Sequence, residues 1–368
     1  MTNLDVARGW PVVGHAAAVR LLQHGLTGGH LAHAYLLLGP PNIGKTTLAL
    51  AFAQALLCED ETARAAGRAC GVCAGCRKAR DRSHPDLRVI EPEGAADEES
   101  PAIEGREGAP TTRGSGKRKA ASRVQVKIET VRDLQRDLAL RPYQAARRVV
   151  VITQADAMNE AAENALLKTL EEPPSYALLI LAAEDTEHLL PTTVSRCQQV
   201  QLGLVPASLV IDALVERGVE TSEAQRLARL SGGRIGWAIN AARDPSILQR
   251  RATALDHVPR ALAASRAERL TIAEELAKRP DVLPDLLAQW QGWWRDALLT
   301  QAGCDAWVMS VDQSAALRQA ASRHTTANLA AALRATRQAA DELERNANPR
   351  LALEVLLLSW PQAGQGIG

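Results

Sequence analysis

Two hydrophobic patterns divide this chain. In roughly its first 200 residues, short unbroken apolar runs alternate with longer amphipathic segments. Tyr35-Leu-Leu-Leu38 and Arg147-Arg-Val-Val-Val-Ile152 read as buried strands, Leu87-Arg-Val-Ile90 and Tyr176-Ala-Leu-Leu-Ile-Leu181 as further strands, and Gln199-Val-Gln-Leu202 closes the region. Between them, helical spacing appears from His15 to His24, from Leu48 to Leu57, from Thr130 to Leu140 (Val131, Leu134 and Leu138 on one face) and from about Asn159 to Leu170. Pro173-Pro174 stops the last of these, because proline lacks the N–H a helix needs. Strands alternating with helices predict an α/β fold: a parallel sheet with helices on both faces.

Beyond residue 205 the strand pattern vanishes. Ala207 to about Ala242 predicts a small helical bundle turned at Gly232-Gly233, and from about 246 to 360 helix follows helix. Trp290, Trp293 and Trp294 stand at i, i+3, i+4 with Leu286, Leu287 and Leu298 nearby, a packed helix face rather than a cofactor box. Asn346-Ala-Asn-Pro-Arg350 leads into a last apolar helix, Leu351 to Trp360, and the Gly-rich tail is expected to fray. The expected division is therefore an α/β domain over 1–205, a small helical segment over 206–250 and an all-α domain over 251–368.

Composition narrows this further. The 368 residues suffice for two or three domains, and 46% hydrophobic with 23% charged residues is ordinary for a globular protein. A net charge of +1 gives no global field toward nucleic acid or membrane. No apolar run approaches the length of a membrane span, and Met1-Thr-Asn-Leu-Asp5 does not open a signal peptide, so the expected compartment is the cytoplasm. Residues 92 to 124 carry almost nothing to bury, with acids (Asp97, Glu98, Glu99, Glu104) preceding bases (Lys117, Arg118, Lys119, Arg123). Such a stretch cannot offset its ordering entropy and is expected to be a disordered insertion.

Two stretches carry chemistry. Gly39-Pro-Pro-Asn-Ile-Gly-Lys-Thr-Thr47 fits G-x-x-x-x-G-K-[ST], with a strand before it and a helix after it. Its glycines let the backbone wrap a phosphate, and the helix start favours the anion. Gly39, Asn42, Gly44, Lys45, Thr46 and Thr47 are the candidate nucleotide residues, Lys45 reaching the terminal phosphates and Thr46 the Mg²⁺ of ATP. His33, just ahead of the loop, reads as a capping or packing residue rather than a ligand. Cys70-Gly-Val-Cys73-Ala-Gly-Cys76 is a pair of overlapping C-x-x-C steps, and Cys58 lies upstream. Four thiolates suit a closed, structural Zn²⁺ site; Cys58 enters it as the inferred fourth ligand within a module spanning 58–76. Arg68, Arg77 and Lys78 would offset its negative charge.

With His33-Ala-Tyr-Leu-Leu-Leu-Gly39 and its P-loop, the cysteine cluster, Ser83-His-Pro-Asp86, Asn164-Ala-Leu-Leu-Lys-Thr-Leu-Glu-Glu-Pro-Pro174 and Ser195-Arg-Cys197, the chain resembles the clamp-loader branch of the AAA+ ATPases. The resemblance is strong to about residue 205 and weaker in the helical remainder. It implies a P-loop domain, a small lid and a C-terminal collar that joins the other subunits of an open pentameric ring. The implied partners are the gamma/tau and delta subunits, with the sliding clamp and primed DNA met through the complex, and no membrane. It further implies that Arg196 of Ser195-Arg-Cys197 is an arginine finger reaching a neighbour's γ-phosphate, a task suited to an always-charged fork of donors. Arg234, after Gly232-Gly233, reads equally as a nucleotide-sensing lid arginine or a helix cap.

The resemblance also implies how to tell a motor from a stator. A motor of this branch carries Asp-Glu after its third apolar run, one acid for Mg²⁺ and one for water. Here Thr153 and Gln154 stand there, Asp156 lies further on, and Ala182 and Ala183 occupy a position expected to be a polar sensor. The expectation is a ring member that turns over little or no ATP itself. The alternative is an ATP-hydrolysing gamma/tau-type motor; an unrelated AAA+ regulator, a Holliday-junction motor and a DNA-binding zinc module fit the motifs less well.

Overall fold

The computed structural model describes residues 9–92 and 125–361. The expected insertion at 92–124 therefore lies, past Pro92, outside the described residues, as does the Gly-rich tail. Among the described residues, five strands form one parallel sheet: β1 (Ala34–Leu38), β2 (Leu87–Ile90), β3 (Arg148–Ile152), β4 (Ala177–Ala183) and β5 (Gln198–Gln201), in the order β2-β3-β4-β1-β5. One register row crosses the whole sheet: Ile90, Ile152, Leu181, Leu36 and Gln199 stand side by side. Burial explains the composition of these strands. Every residue of β1 and β4 is buried, as continuous apolar runs in a parallel sheet require. Only Val200 is buried on the edge strand β5, so glutamines are tolerated there.

Among the described residues, seven α-helices accompany this sheet: α1 (Ala16–Thr27), α2 (Lys45–Leu56), α3 (Glu61–Ala65), α4 (Ala74–Arg80), α5 (Ile128–Leu138), α6 (Glu160–Glu171) and α7 (Pro191–Arg196). The Asn159 side chain caps α6 by accepting from Ala162 N at 2.8 Å, and the helix ends two residues before Pro173. Pro191–Arg196 forms a short helix, because Pro191 sits at a first-turn position where its missing N–H costs nothing.

The remaining helices are α8 (Ala207–Val215), α9 (Thr221–Ser231), α10 (Ile235–Arg243), α11 (Pro245–Ala263), α12 (Arg266–Ala277), α13 (Leu283–Gln301), α14 (Ser314–Arg323), α15 (Thr326–Glu344) and α16 (Pro349–Ser359). The chain divides into two compact units. The first holds the sequence up to Ala213 together with Gly233–Trp237; the second holds Leu214–Gly232 and everything from Ala238 onward.

The second unit is built on α13. Trp290, Trp293 and Trp294 are fully buried, and Trp360 packs edge-on against Trp290 and Trp294 with ring centroids 5.0 and 5.1 Å away. Arg269 of α12 is equally buried. It donates to the carbonyls of Leu357 (2.8 Å), Trp360 (2.7 Å) and Pro361 (2.8 Å), which satisfies the open C-terminal end of α16. Among the described residues, no helix is long and apolar enough to cross a membrane.

Candidate functional site

The P-loop leaves the C-terminal end of β1, the strand flanked by β4 and β5, where open parallel sheets place their ligands. Gly39 has to be glycine: a Cβ there would lie 2.5 Å from the Leu202 carbonyl oxygen. Its N–H donates to Glu184 O at 3.1 Å. Asn42 and Gly44 both take left-handed backbone angles (φ 59° and 105°), and α2 starts at Lys45, so a helix N-terminus with its favourable dipole closes the loop. Lys45 is 4% exposed and its ammonium donates to Gly39 O at 2.7 Å and Pro40 O at 3.0 Å. The cation is thus already inside the loop, with Thr46 buried beside it in sequence and Thr47 half-buried.

Two braces on this loop were not legible in the sequence. The His15 imidazole meets Ile43 O at 3.0 Å, and burial pulls the His15 pKa down, so the neutral ring donates from Nε2. Gly236 N donates to Asn42 O at 2.8 Å, and a Cβ at 236 would come within 2.8 Å of that oxygen. Arg234 lies two residues before this contact, so the backbone near it belongs to the P-loop surroundings.

At the end of β3, Thr153 is buried and its hydroxyl and N–H both donate to Ile90 O, at 3.4 and 3.1 Å. Gln154 is exposed. The carboxylate of Asp156 accepts from Glu184 N at 3.0 Å, which commits this acid to a backbone group. Ala182 and Ala183 are buried within β4. Neither residue at the expected acid-pair position carries a charge.

Each residue of Ser195-Arg-Cys197 has a distinct place. Ser195 Oγ donates to Thr192 O at 3.0 Å. Cys197 is buried in the cluster that joins α5 and α6 to the sheet, and burial pushes its thiol up to about 12, so it anchors rather than reacts. Arg196, between them, ends α7 on the surface. Its Nη1 donates to Thr192 O at 2.9 Å and its Nη2 to Glu171 Oε1 at 2.7 Å.

The four cysteines converge. All their sulfurs lie within 4.8 Å of one another. Cys58 Sγ and Cys73 Sγ are 4.0 Å apart, and Cys70 Sγ and Cys76 Sγ 3.8 Å. A tetrahedral ion with Zn–S bonds of about 2.3 Å needs sulfurs about 3.8 Å apart, so the donor set fits Zn²⁺. Backbone N–H groups already point at the sulfurs, from Cys70 to Cys58 (3.4 Å), Cys73 to Cys70 (3.3 Å) and Cys76 to Cys73 (3.3 Å). Such bonds stabilise thiolate: the Cys73 and Val72 N–H groups bring Cys70 down to about 7, whereas burial raises Cys58 and Cys76. Gly75 permits the approach, since a Cβ there would sit 2.4 Å from Leu57 O. Four such ligands would leave no open position on an ion, and the cluster brings the end of α2 against α4. His33 does not join it; among the described residues these four form the one group with metal-ligand spacing.

Ser83-His-Pro-Asp86 braces a loop far along the chain. The buried Asp86 carboxylate accepts from Tyr143 N (2.6 Å), Gln144 N (2.7 Å) and Ala145 N (2.8 Å), pinning the loop that enters β3.

Residues 14–205 match the family model described as DNA polymerase III, delta subunit, and residues 245–362 the one described as DNA polymerase III, delta subunit, C terminal. Over 206 residues the chain is 37% identical to DNA polymerase III subunit delta' of Pseudomonas aeruginosa, covering 55% of this chain and 53% of that protein. It is 26% identical over 234 residues to subunit delta' of Bacillus subtilis, covering 64% and 61%. To subunit tau of Escherichia coli it is 32% identical over 208 residues, covering 55% of this chain and 27% of that protein. The chain spans about half the length of the first of these relatives.

Proposed function

The chain belongs to the DNA polymerase III delta-subunit family, and from that premise we propose that it is the delta-prime, stator-like subunit of a clamp loader. In this reading it helps place the sliding clamp on primed DNA and lends Arg196 to a neighbouring ATPase subunit. One combination of features carries the proposal: an intact P-loop, a neutral pair at Thr153 and Gln154, and an arginine mounted at the surface end of α7. A subunit without the acid pair lacks a carboxylate for Mg²⁺ and a base for water, yet can still supply charge to the transition state next door.

The gamma/tau and delta subunits are the partners in the ring, and the work is cytoplasmic. Residues 206–250 serve as the lid and 251–368 as the collar. Zn²⁺ held by Cys58, Cys70, Cys73 and Cys76 would staple the P-loop helix to α4. When Mg²⁺-ATP binds, Lys45 would exchange the carbonyls of Gly39 and Pro40 for phosphate oxygens, Thr46 would meet the metal, and Gly39, Asn42, Gly44 and Thr47 would shape the cradle. With Thr153 and Gln154 behind it, that nucleotide would stay unhydrolysed.

The test is Arg196→Ala in a loader reconstituted with its motor and delta subunits. Loss of an arginine finger slows its site by about 10³-fold or more. The adjacent site's share of DNA-stimulated ATPase should disappear, while the complex still assembles. Unchanged turnover would remove Arg196 from the mechanism. The intact P-loop and the similarity to a tau subunit favour a second reading, a gamma/tau-type motor. It predicts ATP turnover by the purified chain, where the stator reading predicts none.

A further inference from the structure

The geometry points to Glu171 as a positioning residue for Arg196, with α6 acting as the mount of the arginine-bearing helix. This rests on Arg196 being the finger, and it adds what aims it. A guanidinium has five N–H donors. Two are committed here, one from Nη1 to Thr192 O at 2.9 Å and one from Nη2 to Glu171 Oε1 at 2.7 Å. Three remain: Nε–H and one hydrogen on each terminal nitrogen. The side chain is therefore held by part of its fork while enough of the fork is left for a phosphate.

The other end of α7 is fixed from the same helix. Glu163, 3% exposed, accepts from Leu190 N, the residue that opens α7, at 2.6 Å. The two carboxylates stand eight positions apart on α6, about 12 Å along its axis, and α7 is a helix of about 9 Å between them. Leu166 and Leu170 of α6 share a buried cluster with Cys197, and Val194 packs against it. Neither end of α7 is left to swing.

Glu171 and Arg196 are both substantially exposed, their side chains 50% and 33%. Exposed pairs contribute little to stability. Removing Glu171 should therefore leave the fold intact, and a loss of turnover would report orientation, since holding a charged group in its working pose lowers the entropy lost in the transition state.

The experiment uses the reconstituted loader with Arg196→Ala, Glu171→Ala, Glu171→Gln and the Arg196→Ala/Glu171→Ala double variant. DNA-stimulated ATPase is measured against ATP concentration, with assembly checked by size-exclusion chromatography. Glu171→Ala should lower the dependent site's kcat by between about tenfold and a hundredfold, the scale of a misaligned catalytic group. KM should stay within twofold. Glu171→Gln, which keeps an acceptor oxygen at the same reach, should restore most of the rate, and the double variant should match Arg196→Ala. If Arg196→Ala is slow while Glu171→Ala is as fast as wild type or faster, or acts through KM alone, the positioning role is overturned. If Arg196→Ala itself has no effect, the finger reading fails instead.

Discussion

Asp86 offers the sharpest test of how this structure is held. Its carboxylate receives three backbone N–H groups, from Tyr143 on Oδ1 and from Gln144 and Ala145 on Oδ2. Asp86→Asn keeps the shape but replaces one oxygen by an NH₂. The better amide orientation keeps the two bonds at Oδ2 and turns NH₂ toward Tyr143 N. One donor then loses its acceptor, at about 1–3 kcal/mol. The two surviving bonds fall from charge-assisted to neutral strength, which is roughly half. The expected loss is about 3 kcal/mol at pH 7, the sum of these two effects.

The pH dependence has a definite sign. Burial opposes ionisation of Asp86, but the three N–H bonds outweigh it and hold its pKa below the ordinary carboxylate value. A depressed folded pKa means the stabilisation is complete above the unfolded pKa, about 3.9, and fades as pH falls through the folded one. Urea unfolding of the sheet-bearing unit, followed by circular dichroism, reads both effects. With m of about 2–3 kcal/mol/M, the variant's midpoint should drop by about 1 M at pH 7, and the gap should narrow below about pH 4. A variant within about 0.5 kcal/mol of wild type at pH 7, the usual scatter of surface changes, would refute the clamp. So would a gap that widens in acid.

Gly39→Ala forces a Cβ against Leu202 O and should cost about 1–3 kcal/mol or more, seen as a lower melting temperature together with weakened nucleotide binding. Lys45→Ala should weaken binding of a fluorescent ATP analogue by at least about tenfold, one lost charge-assisted contact, without a comparable drop in melting temperature. Wild-type chain should carry one Zn²⁺ by plasma mass spectrometry. Cys73→Ser, which removes the sulfur receiving N–H groups from Glu59 and Cys76, should lose it, and acid should release it as thiolates protonate. Equal metal content in both proteins would sink that site.

What was legible in the sequence follows from distance along the chain. The P-loop and the last three cysteines are local patterns, so composition and spacing reveal them. Cys58 was a weaker inference, and the sulfur geometry now supports it. β1, β3 and β4 were plain because burial on both faces leaves nearly unbroken apolar runs. The helix at Pro191 to Arg196 was not plain, being too short for any periodicity. His15 on Ile43, Gly236 on Asn42 and Asp86 on the Tyr143 loop join residues 28 to 194 positions apart. Their side chains carry no sign of the partner, since each bond depends on sheet order that only the folded backbone defines.

The buried guanidinium of Arg269 has a consequence for biosynthesis. Its three acceptors lie 88 to 92 residues downstream, the last being Pro361. Translation delivers the cation long before the carbonyls that neutralise its burial. Until Pro361 has left the ribosome, burying this guanidinium would strip it of water without its full set of carbonyl acceptors, and the tryptophan cluster lacks Trp360, so the unit is expected to stay open. The P-loop sheet, whose five strands are all made by Gln201, is under no such delay. The two halves of the molecule should thus mature at different times on the ribosome, the sheet-bearing half first, and a prematurely terminated chain would display its defect at Arg269.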